Sequence, residues 1–393
     1  MRFHSAFIGF TLALCFWFQS ASALRISVLT CGSGSDLYAC YGHSAVRILD
    51  TASQLDVVYN YGTFNFSDEQ FYWKFTRGQL PYYLNTESFA GFMGTYQQEH
   101  RSVIEQVLEL PQDDAVRLKN FLEFNARVEN KYYRYHFLFD NCSTRIRDLF
   151  PAQFGSRFQW GKAIEDGMYT YRQQLNRYEA PLPWTRSGIN LLMSHRVDEK
   201  MNNEQSMFLP AFLMEGLRSA TLDGKPILST TQELISGQSL PSVPDEPRMA
   251  FWILFVMVVL LSFRPAIKPY LIYFDVLFFM LLGLLGCFIL FMWFGTTHEV
   301  CRYNLHLFWV FPLHILFAAQ LVRSPSWLSS YARYTSWLCM LTIVYRYFSI
   351  QELGAEWTPV ILLSWMRLRA YVRSDGLSAI KNTFRYAYRT QNQ

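Results

Sequence analysis

The chain has 393 residues, 51% hydrophobic and 17% charged, with 35 Lys and Arg against 31 Asp and Glu. It is too apolar for an ordinary soluble protein of this length. A net charge of only +4, with no basic patch interleaved with aromatics, excludes a nucleic-acid partner. The apolar excess is uneven: Arg25 to about Glu246 has a mixed globular composition, and long apolar runs dominate from Met249 onward.

Residues 1–23 read as a secretory signal peptide. Arg2 and His4 precede an apolar core, Phe7 to Phe18, and Ala21-Ser22-Ala23 is an A-x-A cleavage site. An uncleaved membrane helix is the alternative, although the core is short for a span of about 20 residues. The exported domain, residues 24–246, holds Cys31, Cys40 and Cys142. An oxidising compartment permits Cys31 to pair with Cys40 and leaves Cys142 as the odd thiol. Three buried, reduced thiols are the other reading, and the spacing decides neither.

In chain order, the domain opens with a strand over Arg25–Thr30 and a Gly/Ser turn. Strands over Gly42–Leu49 and Asp56–Tyr61, joined by a polar turn, form a hairpin pattern. The aromatic-rich stretch from Asn60 to Tyr83 reads as loop and short helix, Thr95 to His100 as a brief helix or turn, and Ser102 to Glu109 as a strand. A helix then runs to about Val128 with Asp113 as its N-cap. Tyr132 to Phe139 reads as extended, and a second helix contains Cys142 and ends near Phe150, before Pro151. Phe158 to about Leu234 reads as mainly helical, and Ser236 to Arg248, with prolines at 241, 244 and 247, as a linker.

Residues 247–373 read as an α-helical transmembrane bundle of four or five helices: Met249–Phe263, Tyr270–Phe294, Leu305–Val322, Tyr334 to about Tyr347, and Trp357–Tyr371. Arg367 and Arg369 interrupt the last, which either spans or lies in the interface. With the domain exported, Arg264, Lys268, Arg323, Arg333 and a basic cytoplasmic tail, 374–393, fall inside, and Glu299, Arg302, Glu352 and Glu356 fall outside. That asymmetry follows the positive-inside rule.

Two segments carry the chemistry. His43 sits on a strand, and Cys142 opens a helix about a hundred residues later. A helix N-terminus favours a thiolate and presents N–H groups to an oxyanion. His43 can then carry the thiol proton as general base. Asn60, across the hairpin, is the first candidate to orient His43, with Asp56 second, and His136 is a rival base. Asp140 or Asn141 would cap the Cys142 helix. Arg145, one turn on, can bind a lipid phosphate through its planar fork; Tyr41 and Asn141 are further substrate-contact candidates. In the external loop from Thr296 to Asn304, His298 and Asn304 are candidates for binding a headgroup or acceptor amine. For each of these a plainer role stands alongside: a small buried cysteine, a core histidine, a polar connector. No His/Cys/Asp/Glu grouping has metal-ligand spacing, and no cofactor motif is present.

The segments Leu29-Thr-Cys-Gly32, Tyr41-Gly-His-Ser-Ala-Val-Arg47, Tyr59-Asn-Tyr-Gly-Thr-Phe64 and Phe139-Asp-Asn-Cys-Ser-Thr-Arg145 resemble the Lnb N-terminal periplasmic domain family. Met207-Phe-Leu-Pro210 and the stretch from His298 through Asn304 to Pro312-Leu-His314 fit the membrane part of the same family. Cys40, beside Tyr41, departs from the small or aromatic residue expected there. The resemblance implies a lipoprotein N-acyltransferase of the bacterial inner membrane, with its catalytic domain on the periplasmic side. Such an enzyme would take an acyl chain from a membrane phospholipid onto Cys142 and pass it to the α-amine of a diacylated lipoprotein. The His-before-Cys order is also similar to the circularly permuted papain-like arrangement of NlpC-type enzymes, which implies an α+β fold for the exported domain. A membrane-anchored thiol hydrolase (peptidoglycan amidase or peptidase, or phospholipase) and a non-enzymatic scaffold are the alternatives.

Overall fold

Strands rich in Val, Ile and Tyr that are buried on both faces must be covered twice, and the domain is built to do so. The computed structural model describes residues 24–238, 241–323, 325–348 and 350–372; the expected signal peptide and basic tail lie outside the described residues. In chain order the strands are β1 (Leu24–Cys31), β2 (His43–Asp50), β3 (Leu55–Thr63), β4 (Pro81–Ser88), β5 (Val103–Leu108), β6 (Tyr132–Arg134), β7 (Phe158–Gln159), β8 (Thr221–Leu222), β9 (Lys225–Pro226) and β10 (Leu228–Ile235). Seven of them form one antiparallel sheet in the order β10-β5-β1-β2-β3-β4-β6, and β7, β8 and β9 form a small second sheet.

Period-2 alternation sorts the side chains. Ile26, Val28, Val46 and Ile48 face the helices Gln112–Asn125 and Cys142–Phe154, which supply Leu118, Leu122, Ile146 and Phe150 to the main core. Leu29, Ala45 and Val58 point to the other face, where the Phe89–Gln98 helix covers them with Phe92 and Tyr96.

Several expectations change in detail. The Gln112–Asn125 helix has Pro111, not Asp113, at its N-cap position; Asp113 and Asp114 lie in its first turn, where their charge suits the helix dipole. The Cys142 helix continues through Pro151 to Phe154. Only Tyr132–Arg134 of the segment read as extended is a strand. Five strands lie where none was expected. β4 falls at the end of the stretch read as loop and helix, and β7, β8, β9 and β10 fall in the stretch read as mainly helical.

The stretch after the Cys142 helix does contain helices, at Tyr171–Tyr178, Pro183–Leu192 and Pro210–Arg218. Their apolar residues share a cluster with Met292, Val300 and Cys301 and so join the sheet domain to the helical region. That region contains helices over Glu246–Ser262, Leu271–Phe294, Trp327–Tyr345 and Thr358–Ala370. Among the described residues one segment, Lys268–Phe294, is long and apolar enough to cross a bilayer by length and composition. The third expected helix is not continuous: a short 3-10 turn over Leu305–Phe308 and a helix over His314–Gln320 flank Pro312, whose ring and missing N–H break the ladder. Of the two arginines that seemed to interrupt the last helix, Arg369 is exposed and Arg367 is buried. Arg367 donates to Asp275 Oδ1 and Oδ2 at 2.7 and 2.6 Å and to Ser262 Oγ at 3.3 Å, and Tyr371 donates to the same carboxylate.

Candidate active site

Cys142 is the first residue of its helix, and Asn141 locks it there. Asn141 Oδ1 accepts from the backbone N–H groups of Ser143 and Thr144, both at 2.9 Å, and Thr144 Oγ1 accepts in return from Asn141 N at 2.7 Å. The amide of Asn141 donates to the carbonyls of Phe137 and Phe208 at 2.7 and 3.0 Å. Its side chain is thus spent on the cap and on these two carbonyls, which corrects its reading as a substrate contact. The cap also takes the Ser143 and Thr144 N–H groups away from any oxyanion, leaving that of Cys142 itself.

β2 delivers His43 to the same point. Gly42, at φ +81, makes the turn into the strand, and a Cβ there would sit 2.6 Å from the Cys31 carbonyl. Ser44 Oγ meets Ser143 Oγ at 3.0 Å and fastens the strand to the helix. On β3, Gly62 at φ +88 lets the backbone pass close by. A Cβ there would touch the Tyr135 ring at 3.4 Å and Cys142 Cβ at 3.7 Å.

The hydrogen bonds set the tautomer. Glu87, on β4, accepts at Oε1 from the Asn60 amide at 2.5 Å. Asn60 must therefore turn its oxygen toward His43, whose Nε2 lies 3.1 Å away. With the Nε2–H donated to Asn60, Nδ1 is the nitrogen left for the Cys142 thiol, and the two side chains are hydrogen-bonded. Burial pushes the thiol up, but the adjacent imidazolium, its hydrogen bond and the Ser44 backbone N–H outweigh that and hold Cys142 below its ordinary value. Burial pushes His43 down, and the thiolate and Asn60 more than reverse it, raising the imidazole. Both shifts move the pair toward thiolate and imidazolium, the form that attacks a carbonyl carbon.

A cavity of about 230 Å³ opens beside His43, bordered also by Asn60, Glu87, Tyr38, Phe64 and Arg101. Its mixed lining suits an amphipathic substrate better than a purely polar one.

The other candidate residues lie elsewhere or are otherwise engaged. Asp56 is paired with Arg47 through two bonds of 2.8 Å, so it does not orient His43. His136 accepts at Nδ1 from Leu138 N and Phe139 N, both at 3.3 Å, and stacks on Phe139 with centroids 4.6 Å apart. It organises the turn ahead of the Cys142 helix and is not the base. Arg145 turns its Nε and Nη2 edge onto Asp140 and lies 4.0 Å over the Tyr133 ring. Tyr41 donates to the Glu179 carboxylate, two residues before β2 begins at His43. His298 Nε2 meets the Phe75 carbonyl at 3.3 Å. Asn304 donates to the carbonyls of Leu191 and Leu192 at 2.8 and 3.0 Å, so it joins the two regions and is not free for a headgroup. Cys31 and Cys40 are unpaired thiols; burial pushes each up to about 12, and Cys40 donates to the Leu37 carbonyl at 3.2 Å.

Glu87 was missed. The alternation of buried Tyr82 and Leu84 with polar Asn85 and Glu87 marks its strand, but the surrounding aromatic crowd hides the period.

The geometry now has a family to set it against. Residues 18–195 match the Lnb N-terminal periplasmic domain, and residues 239–374 match the Lnb transmembrane domain. The chain belongs to the Lnb family. Its membership makes it a membrane-bound, lipoprotein-modifying protein with a periplasmic part, and both halves of the two-part architecture are present. His43, Asn60, Glu87 and Cys142 all fall within the first matched segment. No curated protein and no solved structure matches the chain.

Proposed function

We propose that this Lnb protein is a lipoprotein N-acyltransferase with a cysteine nucleophile. In this reading a permuted papain-like, NlpC-type domain lies on the periplasmic side of the bacterial inner membrane and is held there by a multi-pass bundle with a cytoplasmic tail. The observation that carries the reading is the file Glu87–Asn60–His43–Cys142 in a chain that also has a membrane domain.

The reaction has two half-steps. Cys142 thiolate attacks the carbonyl carbon of a phospholipid ester, the C–O bond to glycerol breaks, and the His43 imidazolium protonates the departing oxygen. A lysophospholipid leaves, and the acyl chain stays as a thioester. The free α-amine of a lipoprotein's diacylglyceryl-cysteine then attacks that carbonyl, neutral His43 takes the amine proton, and the C–S bond breaks. An amide forms and the thiolate–imidazolium pair returns. Ester and amine become alcohol and amide, with no nucleotide required and no cofactor called on. Asn60 fixes the imidazole tautomer, and Glu87 fixes Asn60.

Mass spectrometry of the protein after exposure to phospholipid tests the reading. An acyl mass on the Cys142 peptide is expected, and adding a diacylated lipopeptide should remove it with N-acylation of the peptide. Cys142→Ser should lower transfer by about three orders of magnitude or more. Unchanged N-acylation by that variant would refute the proposal, and an acyl-enzyme that discharges only to water would make the protein a thiol hydrolase.

A further inference from the structure

The helix Phe71–Thr76 buries none of its residues. Tyr72, Trp73 and Phe75 are 83%, 54% and 48% exposed, and Phe66, just before it, is 61% exposed. Side chains of this size do not stand in water without a reason, and their position gives one. Trp73 stacks on Phe291 with centroids 5.9 Å apart. Phe291 belongs to the Leu271–Phe294 helix, about 4.5 Å of rise from its end. Arg77 Nε donates to the Gly295 carbonyl at 3.3 Å, and Thr297 N donates to the Arg77 carbonyl at 3.0 Å. Gly78 is packed so tightly against Thr297 and His298 that a Cβ would lie 2.5 Å from Thr297 Oγ1. The short helix is therefore fastened to the periplasmic end of the apolar span, at the depth where tryptophan and tyrosine form the interfacial belt of membrane proteins.

Its aromatic rings do not stop at the surface. Phe75 stacks on Phe71 with centroids 6.0 Å apart, Phe71 lies 5.7 Å from Phe64, and Phe64 lies 5.2 Å from Tyr82. Tyr82 stacks on Tyr135 at 4.2 Å, and Tyr135 packs beside Gly62 and Cys142. Phe64 also borders the cavity beside His43. A file of rings thus runs from Phe75, on the helix fastened to the end of the span, to Tyr135 beside Gly62 and Cys142.

We propose that Phe66 and the Phe71–Thr76 helix form a lip seated in the periplasmic leaflet, and that the file Phe75–Phe71–Phe64 guides a phospholipid acyl chain from that leaflet to the cavity beside His43. The lip stands on its own geometry; the guiding role rests on the acyltransferase reading. A lipid leaving a bilayer for a protein site loses the apolar surroundings of its chain, and a continuous run of rings keeps that chain out of water throughout the transfer. The occupant is a lipid surface because the lip continues the outline of a membrane span and Arg77, 5.6 Å over the Trp73 ring, supplies the adjoining positive charge at headgroup level.

The experiment uses the full chain in nanodiscs of phosphatidylcholine carrying bromine on its acyl chains. Subtracting the emission of Trp73→Phe from that of the parent isolates one of the 11 tryptophans. Its emission should be quenched by the brominated lipid and shielded from aqueous iodide. Quenching by iodide alone would overturn the lip. In the Phe71→Ser/Phe75→Ser variant, which interrupts the file, the surface fraction of phospholipid giving half-maximal acyl adduct on Cys142 should rise about tenfold. An unchanged half-saturating fraction would overturn the guiding path. If the parent protein forms no acyl adduct, the acyltransferase reading and the guiding role fall together, while the bromine measurement still decides the lip.

Discussion

The sheet domain and the helical region each bury a polar file, and the two files end differently. In the helical region Asp275 receives Arg367 through two bonds and Tyr371 through a third, and Arg367 has Ser262 besides. Every member has a partner, so the group is closed. In the sheet domain the file Glu87–Asn60–His43 ends on a thiol whose proton the imidazole can take, and that imidazole itself borders a cavity. Burial of polar groups does not by itself mark a site. A file that ends on a reactive atom does, whereas a closed one holds helices together.

The largest test of that contrast is at the closed file. Asp275→Ala leaves Arg367 buried with no counter-charge, and the cost should be about 3–5 kcal/mol in thermal unfolding of the detergent-solubilised protein. Asp275→Leu with Arg367→Leu removes both charges and should recover most of the loss. A single substitution as mild as that of an exposed pair would break the comparison, because the group would then not be a structural lock.

At the open file the expected loss is smaller and appears in rate. Asn60→Ala removes the bond that helps raise His43. Acyl-enzyme formation requires the thiolate, held below its usual range, and the imidazolium, held above the ordinary 6.5, so the rate is bell-shaped in pH. The variant should lose about 10- to 100-fold at the optimum, and its alkaline limb should move to lower pH. A uniform loss across pH with both limbs in place would mean that Asn60 only supports the fold.

The reactive end of the open file can be read from the sequence, Asn60 only in part, and its far end, Glu87, not at all. Cys142 and His43 stand in short motifs whose residue types serve chemistry at a helix start and on a strand. Asn60 could be chosen because a hairpin brings its strand alongside His43. Glu87 could not, since finding it required a fourth strand inside a run of aromatics whose purpose is to cover the core and reach the membrane. His136, Asn141 and Arg145 were attractive because they are near Cys142 in sequence, and the fold spends all three on turn, cap and ion pair. Arg367 looked like the end of a membrane helix because its partner lies 92 residues away. Local pattern fixes where an element starts; it does not reveal which polar groups a distant element satisfies.

Glu179 lies between the two kinds of file and gives the finest test. Its carboxylate accepts from Tyr41 at Oε1, yet Oε2 is buried with no partner among the described residues. Burial is the largest influence and raises the group to about 7 from an ordinary 4.5, against the pull of Tyr41, Arg186 and Arg172. Because the folded value lies above the unfolded one, the protonated form favours the fold. That contribution is complete below pH 4.5 and is lost as pH rises through about 7. The full swing is on the order of 3 kcal/mol. Glu179→Gln keeps an oxygen for Tyr41 and cannot ionise, but it buries an amide donor, which offsets about 1–3 kcal/mol of the gain. The variant should therefore be about 1 kcal/mol more stable than the parent at pH 8 and less stable at pH 4.5. Parallel stability curves for the two proteins across that range would show that Glu179 is satisfied at both oxygens, and it would then belong with the closed file around Asp275.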